Sequence, residues 1–106
     1  MKQAIGLVTF LALSVAAGPV RAQTAGGPQA GLALAQQVCS ECHAVLRGQA
    51  PSPNPRAPTF SELAATPGMT SAALSVALTT PHAGMPMFRL TAEEREDVIA
   101  YILSLR

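Results

Sequence analysis

Residues 39–43 read Cys-Ser-Glu-Cys-His. Two cysteines with two residues between them and a histidine directly after form the pattern that attaches a c-type haem, in which both thiols add to porphyrin vinyl groups and the imidazole binds the iron. The spacing has a physical cause. Cysteines three positions apart lie on one side of a helical turn, and the next residue projects towards the space between them. Cys39 and Cys42 are the only cysteines in the chain. A disulfide or a thioredoxin-like redox pair would use both thiols but leave His43 without a reason, and no strand-and-crossover pattern surrounds the motif. The candidates are therefore Cys39 and Cys42 for covalent attachment and His43 as the proximal iron ligand.

A second ligand is sought in residues 82–90, which carry His82, Gly84, Met85, Pro86, Met87 and Phe88 in a loop-like segment. A methionine in a loop is ordinarily an apolar contact. Beside a haem motif it becomes a candidate thioether donor. Pro86 restrains the backbone of the residue before it, which favours Met85 over Met87. His82 is the rival, since a second imidazole can also take the sixth position. Met69 reads as an apolar anchor. Met85 leads, with Met87 and His82 open.

These side chains need elements to position them. From about Ala30, Leu32, Ala35, Val38, Cys39 and Cys42 recur at helical spacing, which places the motif at the C-terminal end of a first helix. Gly31 costs roughly 1 kcal/mol against alanine in a helix interior, so it lies either near the cap or where another helix crosses closely. Residues 47–58 hold Pro51, Pro53, Pro55 and Pro58 and are a loop. A carbonyl of this loop is a candidate acceptor for the ring N–H of an iron-bound histidine. A short helix is expected from Phe60 to Ala65, capped by Thr59 or Ser61, and a second after Thr70 or Ser71, stopped by Thr79, Thr80 and Pro81. Thr91 and Glu94 form a capping box for a last helix, with Arg106 at its far end and Val98, Tyr101, Ile102 and Leu105 on its buried face. Val98 or Tyr101 is expected over Gly31.

The chain has 106 residues, enough for one small domain. Residues 1–22 read as a cleaved leader: a basic start, an apolar run from Ala4 to Ala17, a Gly18-Pro19 break, and small residues at Val20 and Ala22 that favour cleavage before Gln23. The apolar run is shorter than the roughly 20 residues of a bilayer span, so no stable membrane insertion is expected after cleavage. Residues 23–29 read as a flexible tail and 30–106 as the folded domain. Beyond the leader there are five arginines, six acids and no lysine, so no basic face for nucleic acid is present. That part of the chain also lacks tryptophan, with one tyrosine and two phenylalanines. It is near the limit at which an apolar core alone stabilises a fold, and a buried haem would complete it.

Taken together, Gly31, the motif Cys39 to His43, Pro58 with Phe60, Met85 followed by Pro86, and Asp97 to Tyr101 with Leu105 resemble the small bacterial class I cytochromes c. The resemblance covers nearly all of the chain after the leader. It implies an all-α cytochrome c fold, with three to four short helices wrapped around one covalently bound haem c. It further implies that the Gly31 position allows the first and last helices to cross against Tyr101, that the Pro58 carbonyl accepts from the proximal histidine, and that Phe60 lines the haem site. Pro53 and Pro55 remain alternatives for the carbonyl. Ala35 stands where many members have an aromatic, and the tryptophan that often covers a propionate is absent, which leaves Arg47 and Arg56 as candidates for that contact.

Six-coordinate iron between His43 and Met85 leaves no open position, so the resemblance implies a one-electron carrier of the periplasm rather than an enzyme. Its partners would be redox proteins, and it would be a monomer or a subunit of a redox complex. The competing expectations are a haem subunit of a periplasmic dehydrogenase, and a c-type haem enzyme or gas sensor with an open sixth position.

Overall fold

The computed structural model describes residues 26–106 and, before them, Gly18 alone. The leader and its cleavage site lie outside the described residues. Four α-helices follow in order: α1 (Pro28–Leu34), α2 (Phe60–Ala65), α3 (Ser71–Thr79) and α4 (Ala92–Leu103). Among the described residues there is no β-strand, only an isolated bridge between His82 and Met85.

Local chemistry explains most of the boundaries. Thr59 and Thr91 each cap a helix through a reciprocal capping box, with Glu62 and Glu94 respectively. Thr70 caps α3 by accepting from the Ala73 N–H at 3.1 Å. Helix α1 differs from expectation at both ends. It starts at Pro28, two residues before Ala30, because proline suits the first helical turn. Its N-terminal Gly27 has no side-chain cap of its own, and the Gly27 N–H donates to Oδ1 of Asp97 on α4 instead. At the other end α1 widens into a π-helical turn, Ala35–Cys39, closed by Ser40 N–H donating to the Ala35 carbonyl at 3.0 Å. Such turns recur at functional sites. Here Ala35 is fully enclosed in the core while Val38 and Cys39 line the cavity described below.

The crossing of α1 and α4 is the main packing contact. A Cβ built on Gly31 would strike the Asp97 carbonyl oxygen, and would lie 2.5 Å from the Asp97 carbonyl carbon and 2.8 Å from the Tyr101 Cβ. Only glycine permits this approach. Tyr101 is thus one of the two residues expected there, whereas the other neighbour is the Asp97 backbone and not Val98. Val98 turns instead to the cavity.

The arginine expected at the far end of α4 is not the one found there. Arg106 does not cap the helix; it donates to the Met69 carbonyl. Arg47 does, giving Nη1 to Leu105 O at 3.1 Å and Nη2 to Ser104 O at 2.6 Å. A guanidinium is favourable there because the last helical carbonyls lack partners and carry the negative end of the dipole. Arg47 is consequently engaged with backbone and is not among the cavity-lining residues.

The Tyr101 hydroxyl donates to the Val45 carbonyl at 2.6 Å, joining α4 to the segment just after the motif. Burial pushes the Tyr101 phenol up, and the nearby Arg47 charge only partly reverses this. A folded-state value above the unfolded one makes the folded chain hold this proton more tightly, so the contribution is present below about pH 10 and lost as pH rises further. Tyr101→Phe should therefore flatten the alkaline fall in unfolding free energy. At neutral pH it should cost about 1–3 kcal/mol, because the Val45 carbonyl loses this donor. Urea unfolding of both proteins between neutral pH and pH 11 checks both effects.

Candidate haem site

The loop of residues 44–59 folds back along the motif because three backbone-directed bonds hold it there. Asn54 N–H donates to the Cys42 carbonyl at 3.1 Å, the Ala44 N–H donates to Ser52 Oγ at 3.0 Å, and Phe60 N–H donates to the Ala44 carbonyl at 2.9 Å. Ser52 is buried, which makes its hydroxyl a structural acceptor. Within this clamp the His43 Nδ1 lies 2.7 Å from the Pro58 carbonyl oxygen. A carbonyl can only accept, so Nδ1 carries the proton and Nε2 keeps its lone pair. Of the three prolines considered, Pro58 is the one whose carbonyl makes this contact.

The motif itself straddles a change of helix type. Cys39 ends the π turn, and the His43 N–H donates to the Cys39 carbonyl at 2.9 Å, closing one more turn over the following residues. Both cysteines are free thiols and half-buried. Burial pushes the Cys39 thiol up, keeping it protonated at neutral pH.

Cys39, Cys42, His43, His82 and Met85 all line one cavity of about 700 Å³. Its remaining wall is mostly apolar: Leu34 and Val38 from the first helix, Leu74 and Leu78 from α3, Val98 and Ile102 from α4. Phe60 is buried at its base, with its ring centroid 5.5 Å from that of His43 and 6.3 Å from that of Tyr101. Met69 also lines the cavity, packed on the core as the expected apolar anchor. Met87 is not among the lining residues and is half-exposed. The volume lies within the ~300–1,000 Å³ of ordinary ligand sites.

The donor set suits a haem. Two thiols, two imidazoles and two thioethers line a mostly apolar space, and no buried side-chain nitrogen or oxygen among the described residues is left without a partner. A cluster of three or more His, Cys, Asp or Glu able to hold a bare metal ion does not occur among the described residues. Cys39, Cys42 and His43 are the residues that would hold a haem c, the thiols by covalent links and the imidazole at its iron.

The π turn and the Ser52 and Asn54 contacts are parts of the site that sequence reasoning does not reach. Proline content marked residues 47–58 as a loop, but composition carries no signal for which of its polar groups bind the motif.

Comparison with known proteins agrees with this geometry. Residues 26–102 match the family model described as "Cytochrome C oxidase, cbb3-type, subunit III". Over 101 residues, 95% of this chain and 93% of the relative, the sequence is 37% identical to cytochrome c-552 of Bradyrhizobium diazoefficiens. No solved structure gives a match. The family carries one covalently attached haem c, and Cys39, Cys42 and His43 fit its attachment motif. With its helical architecture and this motif, the chain belongs to the cytochrome c family, as a small monohaem class I cytochrome c that carries electrons on its haem.

Proposed function

We propose that the protein is a periplasmic one-electron shuttle whose iron is held between His43 Nε2 and the Met85 thioether, with Cys39 and Cys42 as the two thioether links. The observation that carries this reading is the His43–Pro58 contact at 2.7 Å beside a cavity that both thiols and Met85 also line. When bound, the haem supplies reversible one-electron chemistry at its iron. The residues of the chain do the rest. Pro58 fixes the tautomer and the orientation of His43. Phe60 packs against the imidazole and limits its rotation. Leu74, Leu78, Val98 and Ile102 keep water from the cavity, which holds the site in a medium of low polarity.

With both positions taken by protein ligands none is left for oxygen or peroxide, so the reading is a carrier and not an enzyme. The relative of nearly equal length is itself named a cytochrome c, which supports this. The leader, with cleavage near Ala22 and Gln23, supports export to the periplasm. No helix among the described residues is long and apolar enough to cross a membrane. Its donor and acceptor would be other redox proteins.

The sulfur donor is tested in the oxidised visible spectrum. Methionine ligation gives a weak charge-transfer band at the red end, and the band should vanish in Met85→Ala while surviving in Met87→Ala. Survival in both variants would remove Met85 from the iron. The mass of the exported protein should equal residues 23–106 plus one haem.

A further inference from the structure

The segment between α3 and the Met85-Pro86 pair carries a second donor that the proposed function leaves unused. His82 lines the same cavity as Met85. The two residues are joined across one tight turn: Met85 N–H donates to the His82 carbonyl at 3.4 Å, they form an isolated antiparallel bridge, and Gly84 between them has φ +82°. The His82 ring is not free to point anywhere. Its Nδ1 lies 3.1 Å from the Thr80 carbonyl oxygen, which can only accept. In the neutral ring Nδ1 therefore bears the proton and Nε2 the lone pair, and Nε2 has no hydrogen-bond partner among the described residues.

This repeats at His82 the arrangement found at His43, where a backbone carbonyl on Nδ1 leaves Nε2 as the donor. No lysine lines the cavity, and its histidines are His43 and His82. Around the cavity the remaining sulfur outside the motif and Met85 belongs to Met69, which is packed on the core.

From this geometry we infer that His82 is a second sixth ligand, carried on the same turn as Met85 and taking the iron whenever the thioether is released. The inference rests on the proposed His43 and Met85 ligation. No bond beyond the coordination bond changes: Met85 sulfur leaves, His82 Nε2 enters, and the oxidation state is unaltered. Imidazole is the harder donor and suits ferric iron, whereas thioether suits ferrous iron. The exchanged form would thus have a lower potential than the methionine-bound one. His82 and Met85 share one short turn, in which a glycine with positive φ sits between two exposed residues and the half-buried methionine.

The test uses the holoprotein and three variants, Met85→Ala, His82→Ala and the double variant. The readouts are the oxidised visible and electron paramagnetic resonance spectra, the midpoint potential, and carbon monoxide binding to the reduced form. Expected is a low-spin Met85→Ala protein without the red band, with a potential below the parent, and a high-spin double variant. If His82 occupies the iron in nine molecules of ten, carbon monoxide should bind Met85→Ala about tenfold more weakly than the double variant. His82→Ala alone should keep the red band and the parental potential. A high-spin Met85→Ala protein whose spectra and carbon monoxide affinity do not change on adding His82→Ala would overturn the inference and leave Met85 ligation standing. Loss of the red band in His82→Ala, or its retention in Met85→Ala, would instead overturn the ligation on which the inference rests, and the inference with it.

Discussion

Gly31→Ala should destabilise the folded protein by about 3 kcal/mol, although alanine is the better helix former by roughly 1 kcal/mol. The opposing terms are unequal because the added methyl meets main chain. The Asp97 carbonyl and the Tyr101 Cβ at 2.8 Å cannot swing aside as the end of a long side chain could. Relief requires α1 and α4 to move apart, and this disturbs the Gly27 contact with Asp97 and the Tyr101 bond to Val45 at the same time. Against a total stability of about 5–15 kcal/mol for a domain of this kind, the loss is large. Ala33 supplies the control, being exposed on the same helix. Ala33→Gly should cost only about 1 kcal/mol, the propensity term alone. Chemical denaturation of the holoproteins followed by far-ultraviolet circular dichroism compares them, and a Gly31→Ala protein as stable as the parent would mean that the helices do not cross this closely.

Phe60→Ala should cost about 3–5 kcal/mol, the range for emptying a buried phenylalanine site. Phe60 is 3% exposed and its ring lies between the His43 and Tyr101 rings, so the space it leaves opens towards the proximal side of the site. Its backbone contribution survives substitution, because the bond to the Ala44 carbonyl comes from the amide. The effect thus isolates packing from the loop clamp. Phe60→Leu, which keeps most of the volume, should lose less than about 1.5 kcal/mol. In a domain of this size each kcal/mol moves the thermal midpoint by roughly 4–8 °C, so the two variants separate clearly in a melt followed in the haem absorption. Equal midpoints for Phe60→Ala and the parent would show that the ring carries no packing energy.

Much of this protein is written in short stretches whose chemistry is local. Cys39, Cys42 and His43 declare a covalent haem because the spacing of the reacting atoms is set within two turns of chain. Thr91 with Glu94 marks a helix start, since a capping box closes over four residues. For the motif and the capping box sequence sufficed. Gly31 marked either a position near a helix cap or a close helix crossing, and the crossing is what excludes a Cβ there.

What tertiary structure alone decided are the contacts between residues far apart in the chain. Arg47 was read as a candidate for a propionate and Arg106 as the cap of the last helix, yet Arg47 caps α4 and Arg106 reaches the Met69 carbonyl. Any arginine can donate to any carbonyl, so side-chain type does not choose between partners separated by 58 positions. The widening of α1 into a π turn was equally hidden, because periodicity tolerates one extra residue in a turn without losing its apolar pattern. Pro86 already favoured Met85 over Met87 in the sequence, and of the two only Met85 lines the cavity. Sequence by itself determined which chemical groups are available and where helices begin. The fold decided which of those groups meet, because meeting depends on chain closure over distances that no local rule encodes.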